Sequence, residues 1–199
     1  MTLEEATTKK PLLPRLGRLV FRRRLLAGLA VVEALRRAAE AYAVLKWPND
    51  VLVDGRKVAG ILTELEGEAE RVTFVLIGIG VNVNLEAGAF PAELARTATS
   101  LRAASGAMVD RAAFAARLLG ALEARYGQFL AGGFAAIRPA FEATAFLTGR
   151  DVRVSGPDTA IRGRVSGIDD DGALLLVTDA GAATRVLAGE VTLRSGEGA

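Results

Sequence analysis

From Leu25 onward apolar positions recur at helical spacing. Val31, Leu35, Ala38 and Tyr42 fall on one face, with Glu33, Arg37 and Glu40 turned away, which predicts an amphipathic helix. The pattern then shortens. "AVLKWPND" reads as a brief strand stopped by Pro48, since proline cannot donate to a ladder. The stretch "VLVDGRKVAGILTELEGEAERVTFVLIGIGVNV" predicts three strands, with a hairpin turn at Asp54-Gly55 and a second turn at Gly67. Its last part, rich in β-branched residues, predicts a buried strand.

Residues 85–109 read as loop, with a short helix near Pro91. Asp110 is placed to cap a long helix carrying Phe114, Leu118, Leu122 and Phe129 at helical spacing, and Gly132-Gly133 ends it. A further helix is expected to stop near Gly149. Beyond it, short strands alternate with the turn signals "SGPD", "DDDG" and "DAGA", which predicts a small antiparallel barrel or sandwich. Such a unit needs a neighbour to dock on for stability.

Composition narrows the chemistry. The 199 residues are 51% hydrophobic and 24% charged, as in ordinary globular domains. There is no cysteine, hence no disulfide, thiolate nucleophile or thiolate metal site. There is no histidine either, which removes the commonest general base and metal ligand. Chemistry must therefore run on Lys, Arg, carboxylates, hydroxyls, backbone and ligand. A net charge of +2 is too small to imply nucleic-acid binding. Basic residues gather near the start, at Lys9, Lys10, Arg15, Arg18 and Arg22 to Arg24. The apolar run after them is broken by Glu33, too early for a membrane span, so a cytoplasmic protein is expected.

Two motifs point to a ligand. Gly60, Gly78 and Gly80 lie inside apolar strands, where glycine marks close approach of a ligand or another backbone, or else a bulge. "GIGVN" sets Asn82 on the same side as Gly78 and Gly80, a bare floor ending in an amide. It is no dinucleotide fingerprint, lacking the third glycine and the helix. Lys46, Asn49, Asp50 and Lys57 crowd the preceding strands, where a lysine after a hairpin is equally at home in solvent. Asp169-Asp170-Asp171-Gly172 reads as a turn, not a calcium loop.

Taken in order, "KWPNDVLVDGRKVAGIL", an acidic strand, "IGIGVNVN" and a terminal "GIDDDGALLL … GEVTLRS" closely resemble bacterial biotin protein ligases. The resemblance implies an α+β fold: a mixed sheet with helices, of the class II synthetase-like kind, followed by a C-terminal SH3-like β-barrel. It divides the chain into a basic arm at 1–24, a partial catalytic domain at 25–147 and the barrel at 148–199. It implies ATP- and Mg2+-dependent formation of biotinyl-5′-adenylate and transfer to a lysine of a biotin carboxyl carrier protein. By the same resemblance Lys57 meets the biotin carboxylate and the phosphate, and Asp50 either orients Lys57 or helps deprotonate the acceptor amine. Gly60, Leu62, Gly78 and Gly80 would line the biotin seat. Asn49, Asn82, Lys46, Glu190 and Arg194 would serve the nucleotide, the last two from the small C-terminal unit.

The resemblance has a gap. The family's arginine- and glycine-rich loop of "GRGRRG" type is not found, and "RLGRLVFRRR" carries one glycine. A truncated ligase is expected, with a non-catalytic biotin or adenylate binder as the alternative and a lipoate-type ligase as a third reading. A DNA-binding domain of the repressor-type ligases is not expected either, and neither operator nor membrane is an expected partner. A bare sheet edge would suit a homodimer.

Overall fold

In the computed structural model of the chain, the structure describes residues 12–39, 41–68, 71–156 and 160–194. Helix α1 (Leu12–Ala39) leads into the strands β1 (Ala43–Lys46), β2 (Asp50–Val53), β3 (Arg56–Glu68) and β4 (Arg71–Val81). These form one sheet in the order β1-β2-β3-β4. The sheet expected to be mixed has antiparallel ladders throughout. Its parallel pairings are isolated bridges, Leu45 with Ala145 and Lys57 with Ala98. Three α-helices follow, α2 (Leu101–Ser105), α3 (Arg111–Gly132) and α4 (Arg138–Glu142), with short 3-10 turns at Ala87–Ala89 and Phe134–Ala136. The C-terminal unit is β5 (Asp151–Ser155), β6 (Ala160–Ile168), β7 (Leu174–Thr178), β8 (Ala183–Val186) and β9 (Glu190–Leu193), antiparallel in the order β8-β7-β6-β5-β9.

Helix α1 is the axis of the core. It packs on β1, β3 and α3, and Leu25, Leu26, Leu29, Val31, Val32 and Leu35 are at most 2% exposed. That burial reaches round most of the helix, because sheet and α3 enclose it from different sides. Glu33, expected in solvent, is half-buried and pairs with Arg125 of α3. Tyr42 does not join the buried face. It lies beyond the helix end, exposed, with Arg36 over its ring at 5.5 Å, while Glu40 lies outside the described residues. Residues 12–24, expected as a separate basic arm, continue α1 without a break. Arg22 pairs with Asp171, Arg23 stacks over Phe129 at 5.7 Å, and Arg24 donates to Thr63 Oγ1 at 3.0 Å. Partial burial lowers the pKa of the Arg24 guanidinium.

Local signals explain most ends. Asp54 and Gly55 both take left-handed φ, of 50° and 74°, as a two-residue hairpin of the type I′ kind requires. Asp110 accepts from the Ala112 and Ala113 amides at 2.9 and 3.1 Å, capping α3. Gly133 closes its far end at φ 65°.

Other expectations give way to tertiary structure. Gly67 is not a turn. It lies within β3, beside a register shift at Glu66/Gly67. β4 is not buried, because among the described residues it pairs with β3 alone, and Phe74 and Leu76 on its outer face are 44% and 54% exposed. The short helix expected near Pro91 is a single 3-10 turn at Ala87–Ala89 just before the proline, followed by a run of turns, and α2 forms later, capped by Ser100 Oγ on the Ala103 amide at 3.0 Å. The helix expected to reach Gly149 ends at Glu142.

The C-terminal unit docks as its size demands. Val152, Val154, Val165, Leu174 and Val191 join the same buried cluster as α1 and β1. Among the described residues, no helix is long and apolar enough to cross a membrane.

Candidate active site

A cleft of about 830 Å³ opens where the sheet, the segment 94–98 and β9 meet. Its charged lining is Lys46, Lys57 and Arg96 against the single carboxylate of Asp50. Three cations around one anion suit a polyanionic ligand.

How Lys57 reaches this cleft depends on a bulge. Residues 57 and 60 of a regular strand would point to opposite faces. Here β2 pairs Val51 with Ala59 but Leu52 with Lys57, so Val58 is an extra residue in β3. Val58 and Ala59 both bury inward, at 0% and 3% exposure, and Lys57 turns to the side of Gly60. The bulge is held from its open side. Lys57 donates its amide to Thr97 O at 2.7 Å and accepts from the Thr99 amide at 2.9 Å, while Val58 O takes the Asn82 amide at 2.9 Å.

On that face Lys57 Nζ sits 2.6 Å from Asp50 Oδ1. A methyl group on Gly60 would meet Lys57 Cε at 3.2 Å and Nζ at 3.3 Å, so this glycine makes room for the pair. Gly60 faces Gly80 across the β3–β4 ladder, and Leu62 faces Gly78. The two glycine positions on β4 thus extend a low floor away from the lysine. Leu62 stands on it, 59% exposed.

The structure gathers Lys46, Asp50, Lys57, Gly60, Gly80 and Asn82 at the cleft, with Gly78 and Leu62 next along the same face. Asn82 donates Nδ2 to Thr99 O at 3.1 Å, which ties the end of β4 to the 97–101 segment. Asn49 is not brought there. Its amide donates to Ile61 O at 3.3 Å and it lies off the cleft lining, bracing β2 on β3. Glu190 and Arg194 also lie off the lining. Glu190 is exposed at the start of β9, and Arg194 Nη1 holds both oxygens of Asp179 at 3.0 and 3.1 Å. Thr192 and Leu193, between them, reach the cleft instead.

Sequence reasoning missed Leu94, Arg96, Thr97, Phe146, Thr192 and Leu193. The one usable signal was Arg96, a basic residue just after a proline turn in a loop. The others carry no chemistry visible without the fold.

This pairing of an α1-backed glycine-floored sheet with a small C-terminal β unit defines a class. Residues 7–82 match the Biotin/lipoate A/B protein ligase family, and residues 148–194 match the Biotin protein ligase C terminal domain. The chain is 43% identical over 157 residues to the bifunctional ligase/repressor BirA of Bacillus spizizenii, covering 79% of this chain and 48% of that protein. It is 38% identical over 164 residues to the biotin--[acetyl-CoA-carboxylase] ligase of Paracoccus denitrificans, covering 78% of this chain and 66% of that one. The biotin protein ligase of Aquifex aeolicus, solved in complex with biotin and ATP, superposes with a TM-score of 0.77 at 30% identity, covering 89% of this chain and 72% of that one. The same enzyme in its apo form gives 0.78, covering 76% of its chain. This chain therefore belongs to the biotin protein ligase family. It spans about half the length of the BirA proteins it matches.

Proposed function

We propose that the cleft binds biotin and ATP, forms biotinyl-5′-adenylate, and passes the biotinyl group to a lysine of a biotin carboxyl carrier protein. The observation that carries this reading is the Lys57–Asp50 pair beside the Gly60–Gly80 floor, in a cleft of cationic lining. The names of the relatives and the Aquifex aeolicus complex with biotin and ATP support the substrate pair over lipoate.

In the first step a biotin carboxylate oxygen attacks the α-phosphorus of ATP. The bond from that phosphorus to the bridging oxygen breaks, and pyrophosphate leaves with the electron pair. A carboxylate is ionised at neutral pH, so the step needs no histidine, only positioning and cations where negative oxygens crowd. Lys57 supplies the charge at the meeting point, with Lys46 and Arg96 on the same lining. In the second step the acceptor amine attacks the acyl carbon, AMP leaves with the bonding pair, and the amine gives its proton to solvent. Asp50 already engages Lys57 at 2.6 Å, which favours the orienting role for it over the basic one.

Gly60, Leu62, Gly78 and Gly80 form the proposed biotin seat, and Asn82 the adenine side. Asn49 would act indirectly, by fixing Asp50. Glu190 and Arg194 would act by holding β9, which carries Thr192 and Leu193. No group of three carboxylates suited to a metal ion exists among the described residues, and Asp50 is committed to Lys57. The described residues thus offer no built Mg2+ site, and the ion is proposed only as a companion of the triphosphate. A cytoplasmic setting and a homodimer through the outer edge of β4 belong to the same proposal.

The test is ATP- and biotin-dependent labelling of a carrier domain by the full chain, beside Lys57→Ala. Labelling by the wild type that the variant loses is the expected outcome. Pyrophosphate release that survives Lys57→Ala would remove the lysine from the mechanism. Calorimetric binding of both ligands without any labelling would make the chain a binder.

A further inference from the structure

The acidic turn at 169–172 lies outside the cleft lining, yet it is heavily bonded. Within the turn, Asp169 accepts from the Asp171 and Ala173 amides at 2.8 and 2.9 Å and pairs with Arg185. Outward, its neighbours reach two helices of the main body and the turn after β1. Asp171 Oδ1 meets Arg22 of α1 at 2.5 Å, and Asp170 meets Arg138 of α4 at 2.7 Å. The carbonyl of Gly172 accepts from the indole Nε1 of Trp47 at 3.1 Å.

Gly172 itself touches α1. At φ 84° it is in the left-handed region, and a methyl group there would lie 2.7 Å from Leu25 Cδ1 and 3.3 Å from Phe21 Cδ1. The Phe21 ring in turn lies 5.5 Å from the Trp47 ring. These contacts are not equal. Asp170 is 83% exposed, and an exposed ion pair holds little. The Arg22–Asp171 pair, at 29% and 18%, and the buried indole bond are the strong members.

The placement links two sites. Trp47 opens the Trp-Pro-Asn-Asp segment that ends in Asp50, the partner of Lys57. At one edge of the same small unit, β9 presents Thr192 and Leu193 to the cleft. We propose that the Asp169–Gly172 turn is a positioning latch: it seats the C-terminal unit on α1 and Trp47 so that Thr192 and Leu193 wall the cleft. Arg22 and Asp171 are then positioning residues for the nucleotide half of the site. This consequence rests on the reading that the cleft holds ATP.

The chain offers its own reporter, since Trp47 is its single tryptophan. Arg22→Met, which keeps the aliphatic stem, is compared with wild type in the full chain. Trp47 emission is read without ligand, and biotin and ATP are titrated separately by calorimetry. The expected result is a red-shifted emission and an ATP Kd raised about three- to tenfold, from lost preorganisation, with biotin affinity kept. Arg22→Lys should recover part of both changes. Unchanged emission would overturn the latch, and shifted emission with an unchanged ATP Kd would overturn its role in positioning. Should Arg22→Met fold poorly, Asp171→Asn is read in the same way.

Failure of the ligase reading has a separate signature, wild-type chain binding neither biotin nor ATP. The latch is then decided by spin labels on cysteines introduced at Glu93 and Thr192 of this cysteine-free chain. A distance distribution that broadens in Arg22→Met supports the latch, and one that stays narrow overturns it.

Discussion

Lys57 and Gly60 work as a unit only because Val58 is an extra residue in β3. The glycine leaves room for an ammonium that would otherwise stand 3.3 Å from a methyl group. The obstructing atoms are the far end of a flexible side chain, so Gly60→Ala should fold and move the lysine instead of breaking the strand. A displacement of this kind in a positioned group costs roughly 10- to 100-fold in rate. We expect carrier labelling to fall by that factor while the melting temperature stays near that of the wild type. Gly78→Ala is the contrast. Its added carbon would meet Leu62 Cβ at 3.8 Å, an ordinary contact, so the protein should tolerate it and biotin affinity alone should drop. Equal biotin Kd values for Gly78→Ala and wild type would place the ligand elsewhere. At this scale the sequence was a good guide to residue types with unusual placement, such as glycines inside strands and a lysine beside a hairpin. It was silent on Thr192, Leu193 and Phe146, ordinary residues that reach the cleft only because distant segments converge. It carried no sign that the Asn49 side-chain amide is engaged by the Ile61 carbonyl of β3, a contact that residue type alone cannot show.

Elements were legible where the signal is local. The Asp54-Gly55 hairpin needs two left-handed residues, and the α3 cap needs a short carboxylate, so both follow from chemistry within four residues. Asp110→Ala should accordingly destabilise the chain by about 1 kcal/mol, the usual worth of such a cap. Thermal unfolding should show this as a loss of roughly 2–4 °C for a chain of this size, without change in ligand affinity. Burial was less legible. A run such as "RVTFVLIGIGV" predicts a strand buried on both faces, but burial is decided by what packs on it. Here α1 half-covers one face, with Ile77 and Ile79 partly buried, while Phe74 and Leu76 stand open on the other. The bulge at Val58 has the same origin. It exists because residues 97–99 pair with Lys57 from the outside, a contact forty residues away in sequence.

The whole molecule is one core with two sheets, and its pH response should report their docking. Burial alone would raise the Asp169 pKa, but the Arg185 hydrogen bond and the Ala173 and Asp171 amides outweigh it and hold the carboxyl below its ordinary 3.8. A carboxyl depressed in the folded state stabilises that state above its unfolded value and loses the effect as pH falls through the folded one. The turn should therefore stay docked from neutral pH down to about 4 and loosen below it, with Trp47 emission flat above that point and red-shifted beneath it. Removing the depressing partner, as in Arg185→Gln, should move the midpoint upward, and an unmoved midpoint would detach the acid transition from this turn. Between about pH 6 and 8 the chain has no histidine to titrate, so neither docking nor ATP affinity should change through a side chain in that window. Carrier labelling should nonetheless climb with pH there, because the acceptor lysine, with an ordinary pKa near about 10.4, must lose its proton to attack. A labelling rate flat over the same range, at constant ATP affinity, would place the slow step before amine attack, in adenylate formation at Lys57.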